Sequence, residues 1–549
     1  MPRTTIFYLT VLISFQFSSA AVSVRWTSST AAACWVDKGV FATQPWSPQA
    51  SYIEVLPDSQ RQTIDGFGGC FNELEWTALN KLSAASRDSV MRSLYDTTTG
   101  CRFNMGRMPI GANDYALSYY SHDDSVNDFD MSAFSIARHQ QYVVPFIKEA
   151  MKLRPDLRMW GSPWTPPAWM KTNNNYAGGA ITWTPQNLQA YALYLEKCVI
   201  AYQAAGLNFF AVFVQNEPWS NSNYPTCLWT PANLRDFIKT YLGPKFKSDN
   251  VPAQIWYSTV NNATFSTAVG TALSDSTCRS YIAGVGYQWE GYSAMGTHHK
   301  LYPAIPFWQT ETRCGNGINN WAWADTQFLD RKWAFDSGAQ AFFEWNMVLE
   351  KGGRSTWGWA QSAMISLDTA LKKVTYNPEY YVSKHFSFFI APGARSIKSA
   401  GPFAGRVAFI NPNGDIVVVV RNGNATSSST AIKVDSLMYM ATIPANSFNT
   451  FVISGARQPL TTKITTPPEN TPPAINRSVT GKVAITGLSV YNLQGKKLFT
   501  IDGLQSGPSE ADIRTFIKKT VNANALPKGI VIVKTFGKRS VSVDYEIKK

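Results

Sequence analysis

Between residues 63 and 346 the chain repeats one pattern: a short apolar run, a polar or Gly/Pro-rich stretch, then a segment with apolar residues every three or four positions. Short apolar runs bounded by turn formers read as buried strands, and the three-four spacing reads as amphipathic helix. The pattern predicts strands at Thr63–Gly69, Phe103–Ile110, Leu157–Trp164, Phe209–Asn216, Gln254–Val260, Tyr281–Trp289, Pro306–Thr310 and Gln340–Asn346. Helices fill the intervals, as in PQNLQAYALYLEKCVIAYQAAG (185–206), where Gly206 supplies the stop. Eight strands alternating with helices predict an α/β fold, a (β/α)8 TIM barrel over residues 63–394. An open doubly wound sheet is the alternative, disfavoured because no Gly-rich phosphate loop follows the first strand.

Outside this region the period changes to two. VAFINPNGDIVVVVRNGN (407–424) reads as two strands joined by a turn, MATIPANSFNTFVI continues it, and residues 21–62 also read as short strands. Residues 21–62 and 395–456 are therefore expected to form one side β-sandwich from both ends of the barrel. A Pro-rich linker, TTPPENTPP, marks 457–476, and 477–549 reads as a small C-terminal β-rich domain. Its segments GLSVYNLQGKKLFTI and ALPKGIVIVKTFGKRSV resemble the C-terminal sorting domain of type IX secretion cargo, which implies secretion machinery as a partner. A generic Ig-like or carbohydrate-binding module is the alternative, but this tail contains no Trp to stack on sugars.

The first twenty residues carry Arg3, an apolar stretch from Ile6 to Phe17, and small residues at Ser18 and Ala20, the pattern of a cleaved signal peptide. No later run is apolar long enough to span a bilayer, so a secreted or cell-surface protein is expected. The formal charge of +13 raises the question of nucleic acid, yet most of it comes from the residues after Asn476. Export and that placement argue against a nucleic-acid partner. Seven cysteines at irregular spacings include no CxxC, so a zinc ribbon or thioredoxin-like motif is excluded; disulfides are permitted, with at least one thiol left over. The five histidines show no metal spacing, and the adjacent His298 and His299 suit surface or loop positions. Neither a metal nor a cofactor is expected.

The chemistry is expected at the strand ends, because the C-terminal mouth of such a barrel is where its loops build a site. The fourth run ends on Asn216-Glu217-Pro218, and WQTETRCGNG places Glu311 just past the seventh. Strands four and seven face each other across the mouth. Two carboxyl groups that reach one bond are what glycoside hydrolysis requires: one protonates the leaving oxygen, while the other attacks the anomeric carbon or activates water. Fifteen of the nineteen Trp lie between Trp160 and Trp359. Those near strand ends (Trp164, Trp219, Trp289, Trp308, Trp345) offer flat apolar faces for sugar rings.

DGFGGCFNE (65–73), GRMPIGANDYA (106–116), GSPWTPPAWMKTN (161–173), VQNEPW (214–219), WQTET (308–312) and KHFSFFIAPGARSI (384–397) follow one another in the order found in glycoside hydrolase family 30, the glucosylceramidase-like retaining β-glycosidases, which this chain resembles over roughly residues 50–455. The resemblance implies Glu217 as general acid/base and Glu311 as nucleophile. It also implies that Asn216 touches the 2-hydroxyl, and that Arg107, Asp114, Trp164 and Trp345 hold substrate or support the nucleophile. Gln288 and Trp289 are expected in the substrate site too. There, glucosylceramidases carry His-Trp-Tyr where this chain has Gln288-Trp289-Glu290, and Asp-Trp where it has Glu344-Trp345. The expected partner is a β-linked oligo- or polysaccharide or glycoconjugate, with the sugar, the linkage and endo or exo action left open. A non-catalytic carbohydrate-binding protein on the same barrel is the alternative, and the intact acid pair disfavours it.

Overall fold

The eight apolar runs pair in chain order into a closed parallel barrel. Its strands are β1 (Gly66–Cys70), β2 (Met105–Ile110), β3 (Arg158–Pro163), β4 (Phe209–Phe213), β5 (Gln254–Val260), β6 (Ile282–Gln288), β7 (Phe307–Glu311) and β8 (Ala341–Asn346). The computed structural model describes residues 21–459 and, in the tail, the strand residues 485–491, 497–502 and 532–537.

The runs read as continuously apolar because both faces of each strand are buried. Met105, Trp160, Phe213, Trp256, Trp308 and Phe343 fill the barrel interior. Met108, Val212, Val285 and Phe342 alternate with them and pack outward against the helical layer. Such crowding leaves no space at Gly286 of β6, where a Cβ would lie 2.7 Å from the Ser258 carbonyl oxygen and 2.7 Å from the Thr310 methyl. The helix Pro185–Ala204 begins with Thr184, whose hydroxyl accepts from the Asn187 amide, and is followed by Gly206 at φ +82°.

Two expectations change in detail. Trp308 does not reach the mouth: it lies inside the barrel, and its indole N–H donates to Asp65 Oδ2 at 2.8 Å, just before β1. The strand before Glu217 ends at Phe213 rather than Asn216. Beyond Phe213 the ladder is carried by an isolated bridge between Asn216 and Thr259, while the Gln215 side chain donates to the Trp164 and Asn216 carbonyls at 2.7 and 2.8 Å.

A ten-stranded sheet beside the barrel draws on both ends of the region. Ser23–Thr30 runs antiparallel to Ser447–Ser454, and Tyr52–Thr63 lies between Arg395–Ala400 and Ser428–Val434. Val24, Ile53, Val418 and Phe451 share its apolar core. His385, on the helix Pro378–Ser387, ties barrel to sheet through Thr450 Oγ1 (2.8 Å) and Ser29 Oγ (2.9 Å). The tail is a separate unit in which Ile485–Tyr491 pairs antiparallel with Lys497–Asp502 and Ile532–Gly537. Residues 1–20, expected to be a signal peptide, the expected linker from residue 460 onward and the rest of the tail lie outside the described residues. Among the described residues no helix is long and apolar enough to cross a membrane.

Candidate active site

At the C-terminal mouth a cavity of about 240 Å³ is walled by Asp114, Trp164, Asn216, Glu217, Trp289 and Glu311, together with Ser220, Tyr224, Asn261, Cys314 and Gln361. A larger groove of about 540 Å³ lies over the side sheet, among Arg61, Lys332, Asp336 and Arg406, away from both strand-end acids.

On the β7 side, Glu311 is organised by nitrogen donors. Arg107, fully buried on β2, donates from one terminal nitrogen to Glu311 Oε2 at 2.5 Å, and from the other to Asn216 Oδ1 at 2.6 Å and Ser162 Oγ at 3.1 Å. Its guanidinium carbon sits 4.7 Å from the Trp164 ring and 5.3 Å from the Trp345 ring, so indoles hold the cation on its faces while carbonyl and carboxylate oxygens hold its edges. Gln288 adds a donor to Glu311 Oε2 at 2.9 Å and another to Asn216 Oδ1 at 3.1 Å. Thr259 Oγ1 donates to the same Asn216 oxygen at 2.8 Å. With Oδ1 committed to three donors in the wall, Asn216 keeps its amide nitrogen for the cavity.

On the β4 side, Glu217 meets neutral partners, two hydroxyls and the Asn261 amide. Ser220 Oγ and the Tyr224 phenol donate to its Oε2 at 2.8 and 3.2 Å. Its backbone sits at φ +42°, a conformation that costs a non-glycine residue about 1–3 kcal/mol. The Asn216 and Glu217 amides hold it there by donating to the Pro163 and Thr259 carbonyls at 2.8 and 3.1 Å. The chain is thus turned sharply out of the strand to present one carboxyl, then stopped by Pro218.

Burial pushes the carboxyl of Glu217 above the ordinary range, opposed by Ser220, Arg107 and Tyr224. Burial likewise pushes Glu311 well up, with Arg107 opposing and Glu217 and Asp114 adding to the rise. Asp114 is pushed up to about 7 by burial and by the Glu217 charge. Three acids therefore surround one guanidinium, and with all three buried they cannot all ionise. Glu311 is the acid in direct contact with the cation, so its anion is the compensated one. Glu217, with neutral hydroxyl and amide partners and no cation in contact, is the acid that keeps a proton. One ionised and one protonated carboxyl in the same cavity can attack an electrophilic carbon and protonate a departing oxygen.

Family models match this architecture in two pieces: a glycosyl hydrolase family 30 TIM-barrel domain over residues 64–390, and a glycosyl hydrolase family 30 β-sandwich domain over residues 393–451. The chain belongs to glycoside hydrolase family 30. It is a glycoside hydrolase. Mouse lysosomal acid glucosylceramidase is 28% identical over 435 residues, spanning 73% of this chain and 83% of the mouse protein. The endo-1,6-β-D-glucanase of Neurospora crassa is 28% identical over 371 residues, spanning 64% of this chain and 75% of that enzyme. Among solved structures, SrfJ from Salmonella typhimurium superposes with a TM-score of 0.74 at 25% identity, covering 78% of this chain and 99% of SrfJ. An endo-β1,6-glucanase structure superposes at 0.70 with 23% identity, covering 78% of this chain and 99% of that one, a likeness of fold.

Within this family 30 barrel, Arg107, Asp114, Trp164, Asn216, Glu217, Gln288, Trp289 and Glu311 all meet at the one mouth. Trp345 stands one layer back, buried against Trp164 at a ring separation of 5.3 Å. Glu344 does not shape the sugar pocket as expected. Strand alternation turns it outward, where it pairs with Arg331 on the helix Trp321–Asp336. Trp219 is 49% exposed. Tyr224, Ser220 and Gln361 had no strand-end position to give them away and come from the loops after β4 and β8, whereas Asn261 directly follows β5, a strand-end position that could have found it. Cys314 lines the cavity with its thiol 3.8 Å from Glu311 Oε1, and all seven cysteines are free thiols. His298 is buried on the helix Tyr292–Leu301, its ring bonded to the Tyr287 hydroxyl at 2.6 Å, because that helix packs back onto β6; it is not a surface or loop residue. Among the described residues no group of three His, Cys, Asp or Glu is placed to hold a metal ion.

Proposed function

We propose that the protein is an exported retaining β-glycosidase that cleaves β-glucosides, β-1,6-glucan or a related β-glycan by double displacement. The observation that carries this reading is the asymmetric acid pair, Glu311 against Arg107 and Glu217 against hydroxyls. Glu311 attacks the anomeric carbon, and Glu217 delivers its proton to the glycosidic oxygen as the bond breaks. Glu217, now ionised, takes a proton from water, which displaces Glu311 from the sugar. Arg107 stabilises the departing Glu311 carboxylate, Asn216 bonds the 2-hydroxyl, and Asp114 accepts from a sugar hydroxyl through Oδ1, which has no partner among the described residues. The glucosylceramidase and endo-1,6-β-glucanase relatives support a β-glucosyl substrate.

Azide separates the two roles. With a dinitrophenyl β-glucoside, Glu311→Ala plus azide should yield the α-glucosyl azide, and Glu217→Ala plus azide the β-glucosyl azide. The same anomer from both variants would refute the assignment. Export rests on the signal-peptide pattern and the type IX sorting motifs. Truncation after residue 465 should preserve hydrolysis by the purified enzyme and strand the protein inside the outer membrane of its host; unchanged export would make the tail something else.

A further inference from the structure

The acid side of the cavity continues outward as a wall of rings. Tyr224, whose hydroxyl touches Glu217, lies 5.1 Å from Trp359 between ring centroids; Trp359 is 6.5 Å from Trp357, Trp357 is 5.3 Å from Tyr119, and Tyr119 is 5.7 Å from Tyr176. The Tyr119 and Tyr176 planes are within 6° of parallel, and those of the two Trp within 22°. Tyr119 is 38% exposed and the other four are half-buried, so the rings keep surface for a ligand.

The wall is built rather than incidental. Its Trp-bearing loop is closed by Ser355 N–H donating to the Trp359 carbonyl at 2.8 Å, and docked by Thr356 Oγ1 to the Ala116 carbonyl at 2.6 Å. Gly353, at φ +60°, allows the loop to fold back, since a Cβ there would lie 1.8 Å from the Gln361 carbonyl oxygen. The Tyr115 hydroxyl bonds the Gly353 carbonyl at 2.8 Å, and that of Tyr119 bonds the Asn223 carbonyl at 2.5 Å. The same loop delivers Gln361 to the cavity wall.

The chemistry of the wall discriminates between ligands. Tyr176 and Tyr224 end two matching stretches, NNNY (173–176) and NSNY (221–224), whose Asn side chains are exposed. Aromatic faces interleaved with amides match the C–H faces and hydroxyls of sugars. A lipid chain calls for continuous aliphatic surface, and among the described residues Val126 is the one Leu, Ile or Val that these loops fully expose.

Because the acid protonates the leaving group, rings that start at the acid lie on the leaving-group side. We propose that this wall is a leaving-group-side site for further sugar units of a β-glycan chain, so that the enzyme selects oligomers and polymers over short glycosides. This rests on the reading of Glu217 as the acid.

The test is the dependence of kcat/KM on chain length, measured with β-1,6-linked gluco-oligosaccharides of two to five units and with an alkyl β-glucoside. For the wild type, kcat/KM should rise at least about tenfold from the disaccharide to the tetrasaccharide, a difference of about 1.4 kcal/mol. Trp357→Ala should remove most of that rise, and Trp357→Phe should keep it. A flat dependence in the wild type would overturn the proposal without any variant having to fold. So would a Trp357→Ala loss of equal size at every chain length, or a loss confined to the alkyl glucoside, which would assign the wall to a lipid chain. Failure of the wild type to cleave any of these β-glucosides and gluco-oligosaccharides would sink the β-glucosyl reading itself, and this site with it.

Discussion

The ends of β7 and β4 each present a glutamate to one cavity, and their surroundings differ in kind. Glu311 receives a guanidinium and an amide nitrogen on one oxygen. Glu217 receives two hydroxyls and sits on a backbone bent to φ +42°. Both carboxyls are buried, and burial alone would push both toward the neutral form. What separates them is the placement of Arg107, which compensates the Glu311 anion by direct contact and that of Glu217 only through space. On the proposed mechanism, identical side chains take opposite roles through partner chemistry rather than through burial.

The largest effect expected is on the acids themselves. Glu311→Gln should lower kcat on every glycoside by at least about 10⁴-fold, since no later step survives without the nucleophile. Glu217→Gln should cost about 10²–10⁴-fold on an unactivated glycoside and far less on a dinitrophenyl glycoside, whose leaving group needs no proton. Leaving-group dependence measured on both variants checks this; similar dependence in the two would break the comparison.

Arg107→Met comes next. Removing one partner of a buried pair costs about 3–5 kcal/mol, unless the orphaned acid takes up a proton. Glu311 must be ionised to attack, and without the guanidinium its folded-state pKa rises further. The acid limb of kcat/KM should therefore move to higher pH. At this group the folded variant then binds more protons than the unfolded chain between the ordinary carboxyl pKa and the raised one, so the Glu311 contribution to stability is greatest below that window and falls as pH rises through it. Thermal melts across pH check the sign.

Tyr224→Phe should be the smallest. It keeps the ring and removes one hydroxyl that favours the Glu217 anion, so the Glu217 pKa rises. Since Glu217 must be protonated to act, the alkaline limb of kcat/KM should move to higher pH while the acid limb stays. Movement of the acid limb instead would mean that Tyr224 tunes the other carboxyl.

The sequence carries the barrel clearly because its strands are buried on both faces and stand out as apolar runs; all eight sit where those runs fall. Strand ends are legible for the same reason: Asn216, Glu217, Gln288 and Glu311 are polar residues at the point where an apolar run stops. Trp308 was misplaced because an aromatic near a strand end looks the same whether alternation turns it into the barrel or up to the mouth. Glu344 was misplaced for the matching reason, since its outward partner, Arg331, lies on a helix and leaves no mark near the strand. The loop residues Tyr224, Gln361 and Trp357 reach the cavity and its rim through turns and cross-loop hydrogen bonds that have no periodicity to read.

On the proposed mechanism Glu311 attacks the sugar and Glu217 both gives and takes the proton. Two displacements at one carbon return its original configuration, whereas a single attack by water inverts it. Proton NMR of a β-glycoside digest, followed from the first seconds before mutarotation, reads this directly. The β-anomer of the released sugar should appear first, with the α-anomer growing in only later, if Glu311 and Glu217 act in this way. An α-anomer formed first would contradict this mechanism.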